Sequence, residues 1–281
     1  MLIARYSIAE ALRRRVFTII VVLTAAFLVL YALGSFAIWD ELDNQGFTGG
    51  NLIEEKALTG GTLVGLGMFV TFFLGVVLAV FMTTSTVRGD AERGILQPLV
   101  VRPLGRDTVL LGRLAAATAV AAGYAAIVYA AIVAITWIAG NWTPDHLVTP
   151  ALGLMAAVAL IAMISVLGSV HLAQSANGIA VFMIFGAGLT AGLLGQIGEA
   201  LDSDDLQRIS DVAAVLLPFE ALYQGGLALL TSETEGLTEV AINLGPFGGA
   251  KALGAGGIAW AFAYAATTIA LALRGFARRD L

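Results

Sequence analysis

Apolar residues in this chain fall into six long runs, separated by short stretches where charge, glycine and proline collect, and not into the alternating pattern of half-buried strands. The runs cover about 16–38, 62–82, 114–138, 148–170, 178–197 and 253–273. Each is close to the roughly 20 residues that a helix needs to cross a hydrocarbon core of about 30 Å. The pattern therefore predicts an all-α membrane protein with six transmembrane helices in one domain, 1–281. Residues 1–15 carry apolar Ile3, Ile8, Ala11 and Leu12 beside Arg5, Glu10 and Arg13 to Arg15, the pattern of an interfacial helix. No small-residue cleavage site follows the first run, so that run is expected to be retained as a span.

A seventh run, 212–230, is almost apolar enough to cross but holds Pro218, Glu220 and Gln224 and is flanked by acidic residues. Charge sidedness decides its reading. With six crossings, Arg5, Arg13, Arg14, Arg15, Arg88, Arg93, Arg102, Arg106, Arg113, Arg274, Arg278 and Arg279 share one side, and of the 15 basic residues only Lys56, Arg208 and Lys251 lie on the other. A seventh crossing would break that positive-inside bias. Both termini are thus expected in the cytoplasm and the chain in the cytoplasmic (inner) membrane. Segment 198–252 is expected as an extracytoplasmic excursion that dips into the membrane and returns, broken at Pro218, with Glu220 in a solvated or protein-lined place. Pro218 and Glu220 form a candidate outer gate; an ordinary interfacial carboxylate is the plainer reading of Glu220.

Composition then narrows the chemistry. Only 12% of residues are charged, and there is no cysteine, which excludes disulfides and thiolate metal sites. Two distant histidines, His146 and His171, do not make a metal cluster. No G-x-x-x-x-G-K-[ST] or G-x-S-x-G motif is present, so neither nucleotide hydrolysis nor a serine nucleophile is expected of this chain. The six runs contain no acid, His or Lys at mid-depth of the kind a proton-coupled carrier uses. The sequence reads as a non-enzyme with no cofactor of its own and no nucleic-acid surface.

One polar segment stands out between two apolar runs: residues 88–113, RGDAERGILQPLVVRPLGRDTVLLGR. Ile95, Leu96, Leu99 and Val100 make a short apolar patch framed by Asp90, Glu92 and the Arg102-Pro103 stop. An amphipathic piece held at a membrane face either lies on lipid or inserts into a partner. Asp107 is placed to cap the helix that follows.

The order Glu92, Gly94, Ile95, Leu96, then Arg102, Pro103, Leu104, Gly105, Arg106, then Leu111, Gly112, Arg113 resembles the cytoplasmic loop of ABC-2 type ABC transporter permeases, in the branch whose permease carries no fused ATPase. Gln97-Pro98 departs from that family's uninterrupted helix. The resemblance implies that 83–107 is a coupling loop between spans two and three. Glu92, Arg93, Gly94, Ile95, Leu96, Leu99, Arg102, Pro103 and Arg106 would then dock a cytoplasmic ABC ATPase subunit, which would hold the ATP and magnesium. It also implies a second permease copy, identical or related, and export of a hydrophobic or amphipathic substrate such as a lipid-like molecule or drug. A membrane anchor whose ATPase drives maturation or release of an outer-face partner, without transport, is the alternative. An ATP-independent carrier is a third.

Lesser signals complete the reading. Gly61 and Gly65 form one small-xxx-small pair and Gly188 and Gly192, continued by Gly195, another; both permit close helix approach, within the chain or between subunits. Phe69, Phe72, Phe73 and Phe81 face either lipid or an export path. Asn141-Trp142-Thr143 matches a glycosylation sequon.

Overall fold

A computed structural model describes residues 15–44, 52–83, 106–230 and 251–278. These form eight helices and no strand: α1 Arg15–Asn44, α2 Leu52–Thr83, α3 Arg106–Gly140, α4 Val148–His171, α5 Gln174–Ala200, α6 Asp204–Leu216, α7 Pro218–Ala228 and α8 Ala255–Ala277. Six of them, all but α6 and α7, are long and apolar enough to cross a membrane. They coincide with the six runs, extended by up to ten residues at their ends. Helix α2 begins at Leu52, ten residues before the second apolar run.

Contacts between helices fix their directions. Tyr124 on α3 donates to Thr24 on α1 (2.6 Å), and Tyr31 on α1 donates to Thr136 on α3 (2.7 Å), so α1 and α3 run parallel. Both threonines spend their own protons on carbonyls four residues back. Gly67 of α2 meets Ile132 of α3, while Gly60 meets Trp142 just beyond α3, an antiparallel register. Successive long helices alternate, and the ends near Arg15, Thr83, Arg106, His171 and Ala277 gather on one side of the bundle. There Leu110 and Leu114 of α3, Val166 and Val170 of α4, and Ala272 and Phe276 of α8 form a separate apolar cluster.

Helix α4 is the hub, packing on α2, α3, α5, α7 and α8. Along their most apolar stretches α2 and α4 are 67% and 50% buried, but α1 and α8 only 17%. The outward faces of α1 and α8 carry Val22, Leu30, Leu33 and Phe262, each more than half exposed. Such surfaces are stable only against lipid or another apolar body.

Three details differ from expectation. Asp107 lies in the first turn of α3 and is not its cap, because the helix already starts at Arg106; there its carboxylate opposes the positive end of the helix dipole. The turn between α4 and α5 is only Leu172 and Ala173. Phe72 faces no lipid surface: it is wholly buried among other rings, whereas Phe73 and Phe81 are exposed. The residues expected to form a coupling loop, Glu92, Arg93, Gly94, Ile95, Leu96, Leu99, Arg102 and Pro103, lie outside the described residues. Arg106 opens α3, with its side chain also outside them.

Candidate functional site, a helical hairpin seated in the bundle

The excursion after α5 folds into two short helices that meet at Leu217. Proline starts the second, α7, where its missing N–H costs nothing. Position 218 is thus the break that the sequence predicts. Helix α6 runs back along α5: Ser210 packs at Gly195, and Leu206 and Gln207 at Gly198. After the break, Phe219 packs at Gly188, Glu220 and Gln224 at Gly192, and Leu227 at Gly65 of α2. The hairpin therefore descends with α6 and climbs back with α7.

Its tip reaches deep. Phe72 and Tyr223 stack at 4.7 Å between ring centroids; Phe185 meets Phe72 edge-on at 5.2 Å, and Phe219 lies 6.4 Å from both Phe72 and Phe185. Phe72 is eleven residues from the end of α2 and Phe185 eleven from the start of α5. At 1.5 Å per residue, both are about 16 Å from the Arg15 end of the bundle. On the other side of α7, Gly153 of α4 faces the Leu222 carbonyl and Gly226, so close that a methyl group at 153 would press on backbone. Helix α7 thus lies in a trough of glycine faces and aromatic rings contributed by α2, α4 and α5.

Two polar side chains go down with it. Glu220 is 5% exposed and Gln224 8%. The Gln224 amide donates to Glu220 Oε1, one helical turn away. Among the described residues no Lys, Arg or His pairs with Glu220. Burial pushes its carboxyl up to about 8, the Gln224 bond opposing that rise. Burial first, and the neighbouring carboxylate second, hold the Tyr223 hydroxyl well above its ordinary range; its oxygen has no hydrogen-bond partner. Of the two readings open to Glu220, solvated or protein-lined, the second holds. The missed signal lay in the Gly188/Gly192/Gly195 series, which is spent inside the chain on seating the hairpin.

The outer face of α6 changes character along its length. Asp204, Asp205 and Arg208 are exposed near its start, while Ile209, Val212, Val215 and Leu216, each more than half exposed, follow toward the break. Trp260 of α8 donates its indole N–H to the Val215 carbonyl at 2.8 Å, and Lys251 bridges Asp211 at 3.1 Å.

A second buried polar group lies at the opposite end. Thr83, the last residue of α2, shares a hydrogen bond with Ser165 of α4. Asn177 of α5 donates to the Ser165 carbonyl at 3.0 Å and to its hydroxyl at 3.4 Å. All three are buried, and Asn177 Oδ1 lies against Gly168 without a hydrogen-bond partner. His171 is exposed, its Nδ1 3.1 Å from the Leu167 carbonyl, an ordinary helix-end histidine.

Among the described residues no His, Asp and Glu group is placed to hold a metal ion. Fold and site together define a class: a multi-pass helical membrane protein that buries a carboxyl group, Glu220, in a broken helix. Compared with protein-family models the sequence matches none, and no curated protein matches it.

Proposed function

We propose that this chain is the permease subunit of an ATP-binding cassette exporter, driven by a separate cytoplasmic ATPase and working as a dimer of permeases. One observation carries the reading. The stretch with the permease-like motif, 88–113, is tethered by α2 and α3, whose ends Thr83 and Arg106 emerge on the same side as Arg15 and Ala277. That is the side on which basic residues concentrate, so it is taken as cytoplasmic. Tethering at both ends favours a docking element: a push on Ile95, Leu96 and Leu99 would act on α2 at Thr83 and on α3 at Arg106. From Thr83 the buried bonds to Ser165 and Asn177 lead to α5, which seats the hairpin.

On this reading the α6–α7 hairpin is a re-entrant element on the outer side. Its acidic start is in water and its apolar end in lipid, which explains the change of character along the outer face of α6. With a hydrocarbon core of about 30 Å, a tip about 16 Å from the inner end stands near mid-depth. Pro218 and Glu220 then form the outer gate of a path for hydrophobic or amphipathic cargo.

The test is recovery of the chain from its native membrane with whatever ATPase accompanies it. Glu92→Arg and Leu96→Asp are expected to insert normally and to lose that ATPase. Retained binding in both variants would remove the loop from the mechanism. ATPase activity stimulated by cargo in reconstituted vesicles supports export; an outer-face protein that copurifies without vesicle transport supports the anchor instead.

A further inference from the structure

Glu220 is a carboxyl group in a place built for a neutral one. On the α5 side it meets Gly192, and next to it Gly188 holds the Phe219 ring. On α7 itself the neighbours are Gln224, which satisfies one oxygen, and Tyr223. The described charged or titratable acids and bases on the elements around α7 are all at the ends or the surface: Lys56 on α2, His171 on α4, Glu199 on α5, Asp204, Asp205, Arg208 and Asp211 on α6, and Lys251, Arg274 and Arg278 beside and on α8. None of the cations pairs with Glu220, and the nearby segment of α6 contributes acids. A bare carboxylate here is opposed by desolvation, with no countercharge to offset it.

The same geometry offers the carboxylate a way out. Helix α7 is joined to α6 by a break at Leu217, and Gly192 is eight residues, about 12 Å, below the end of α5. Against α5, Glu220 and Gln224 meet the surface of Gly192, so no large α5 side chain blocks them as α7 moves; the contact that must slide is that of the Phe219 ring with Phe185.

We propose that Glu220 is a proton-binding site that controls the seating of the hairpin: protonated, it docks α7 against Gly188 and Gly192; deprotonated, it drives α7 out of the bundle toward the end that holds Asp204 and Lys251. The proton passes to water at that end, and docking takes one up. No cofactor and no partner subunit enters the step, so it stands or falls separately from the exporter reading. If the hairpin is also the outer gate, opening of that gate releases one proton per chain.

The experiment uses the full chain alone in phosphatidylcholine nanodiscs, whose headgroups hold their zwitterionic form across the range tested. The absence of cysteine allows spin labels at Ile209→Cys on α6 and Ile179→Cys near the start of α5, both exposed positions. Pulsed distance measurement from pH 5 to pH 9.5 is expected to show one short distance in acid. A second, longer one should replace it with a midpoint near 8. Glu220→Gln, which keeps shape and hydrogen bonding without a titrating proton, should hold the short distance throughout. Gln224→Leu removes a bond that favours the charged form, so its midpoint should move to higher pH. Distances unchanged with pH in the parent chain would overturn the proposal. So would a Glu220→Gln chain that still switches, or a Gln224→Leu midpoint that stays in place or falls.

Discussion

Two buried polar groups hold this bundle at opposite ends, and they are built on different chemistry. The Thr83, Ser165 and Asn177 group is neutral in every protonation state reachable in water, and it joins three separate helices. The Glu220 and Gln224 pair sits on one short helix, bonds within that helix, and contains a group that ionises. The first can only be made or broken by moving helices. The second can be switched in place by a proton. Interhelical hydrogen bonds inside membranes contribute modestly, about 0.6 kcal/mol on average, whereas an unpaired charge in the same surroundings costs several times that. The neutral group therefore acts as a fastening and the acidic one as a control.

The largest effect expected from this contrast is on stability against pH. The folded Glu220 holds its proton up to about 8, while an unfolded glutamate loses it near 4.5. Between those values the folded state binds more protons, so stability is full below about 4.5, falls as pH rises, and has lost this contribution above about 8. At about 1.4 kcal/mol per pH unit, the loss is on the order of a few kcal/mol. Reversible unfolding in mixed micelles at pH 5 and pH 9 measures it. Glu220→Gln should abolish the difference, and an equal difference in that variant would assign the titration elsewhere.

Phe72→Ala comes next. Its ring is the shared contact of Tyr223, Phe185 and Phe219. Its removal leaves a void where the tip of the hairpin rests, at a cost of about 3 kcal/mol. The same unfolding assay should find this loss in full at pH 5 and a smaller one at pH 9, where the hairpin has left its seat. Asn177→Ala, at the neutral end, should cost about 1 kcal/mol, without pH dependence. If Asn177→Ala proved pH-dependent, the separation between fastening and control would fail.

How much of this was legible in the sequence follows from the solvent. Lipid is as apolar as the protein interior, so the six long helices announce themselves by length. Their hydrophobicity does not say which lie inside. Nothing in the apolar content of α1 against α4 marks the first as peripheral and the second as the hub. Small and polar residues carry that information: Gly153, Gly188 and Gly192 mark where helices approach, and Ser165 and Asn177 where they bond. Pro218 gave away the break because proline cannot sit inside a helix without cost. The depth of Glu220 was not legible, since an acid among acids reads as a surface residue until the trough that receives it is seen. Glu220 also lies outside the six long runs, which hold no acid. Residues 92–103, expected to dock a partner, present the reverse case: that reading rests on sequence order alone.

The smallest effect concerns the surface of the hairpin. Lys251 and Asp211 form an ion pair at 3.1 Å, with side chains 78% and 65% exposed, that bridges α6 to the segment before α8. By position it resembles a clasp that holds the hairpin shut. Exposed pairs of this kind contribute between nothing and about 1 kcal/mol, and salt screens them. Lys251→Ala should therefore change unfolding by no more than a few tenths of a kcal/mol. It should leave the pH midpoint of the 209–179 distance where it is. The variant separates two ways of holding the hairpin that look alike in the folded chain. If removal of this surface charge opened the hairpin at pH 6, the hold would be electrostatic and external. The buried carboxyl would then follow the movement and not govern it.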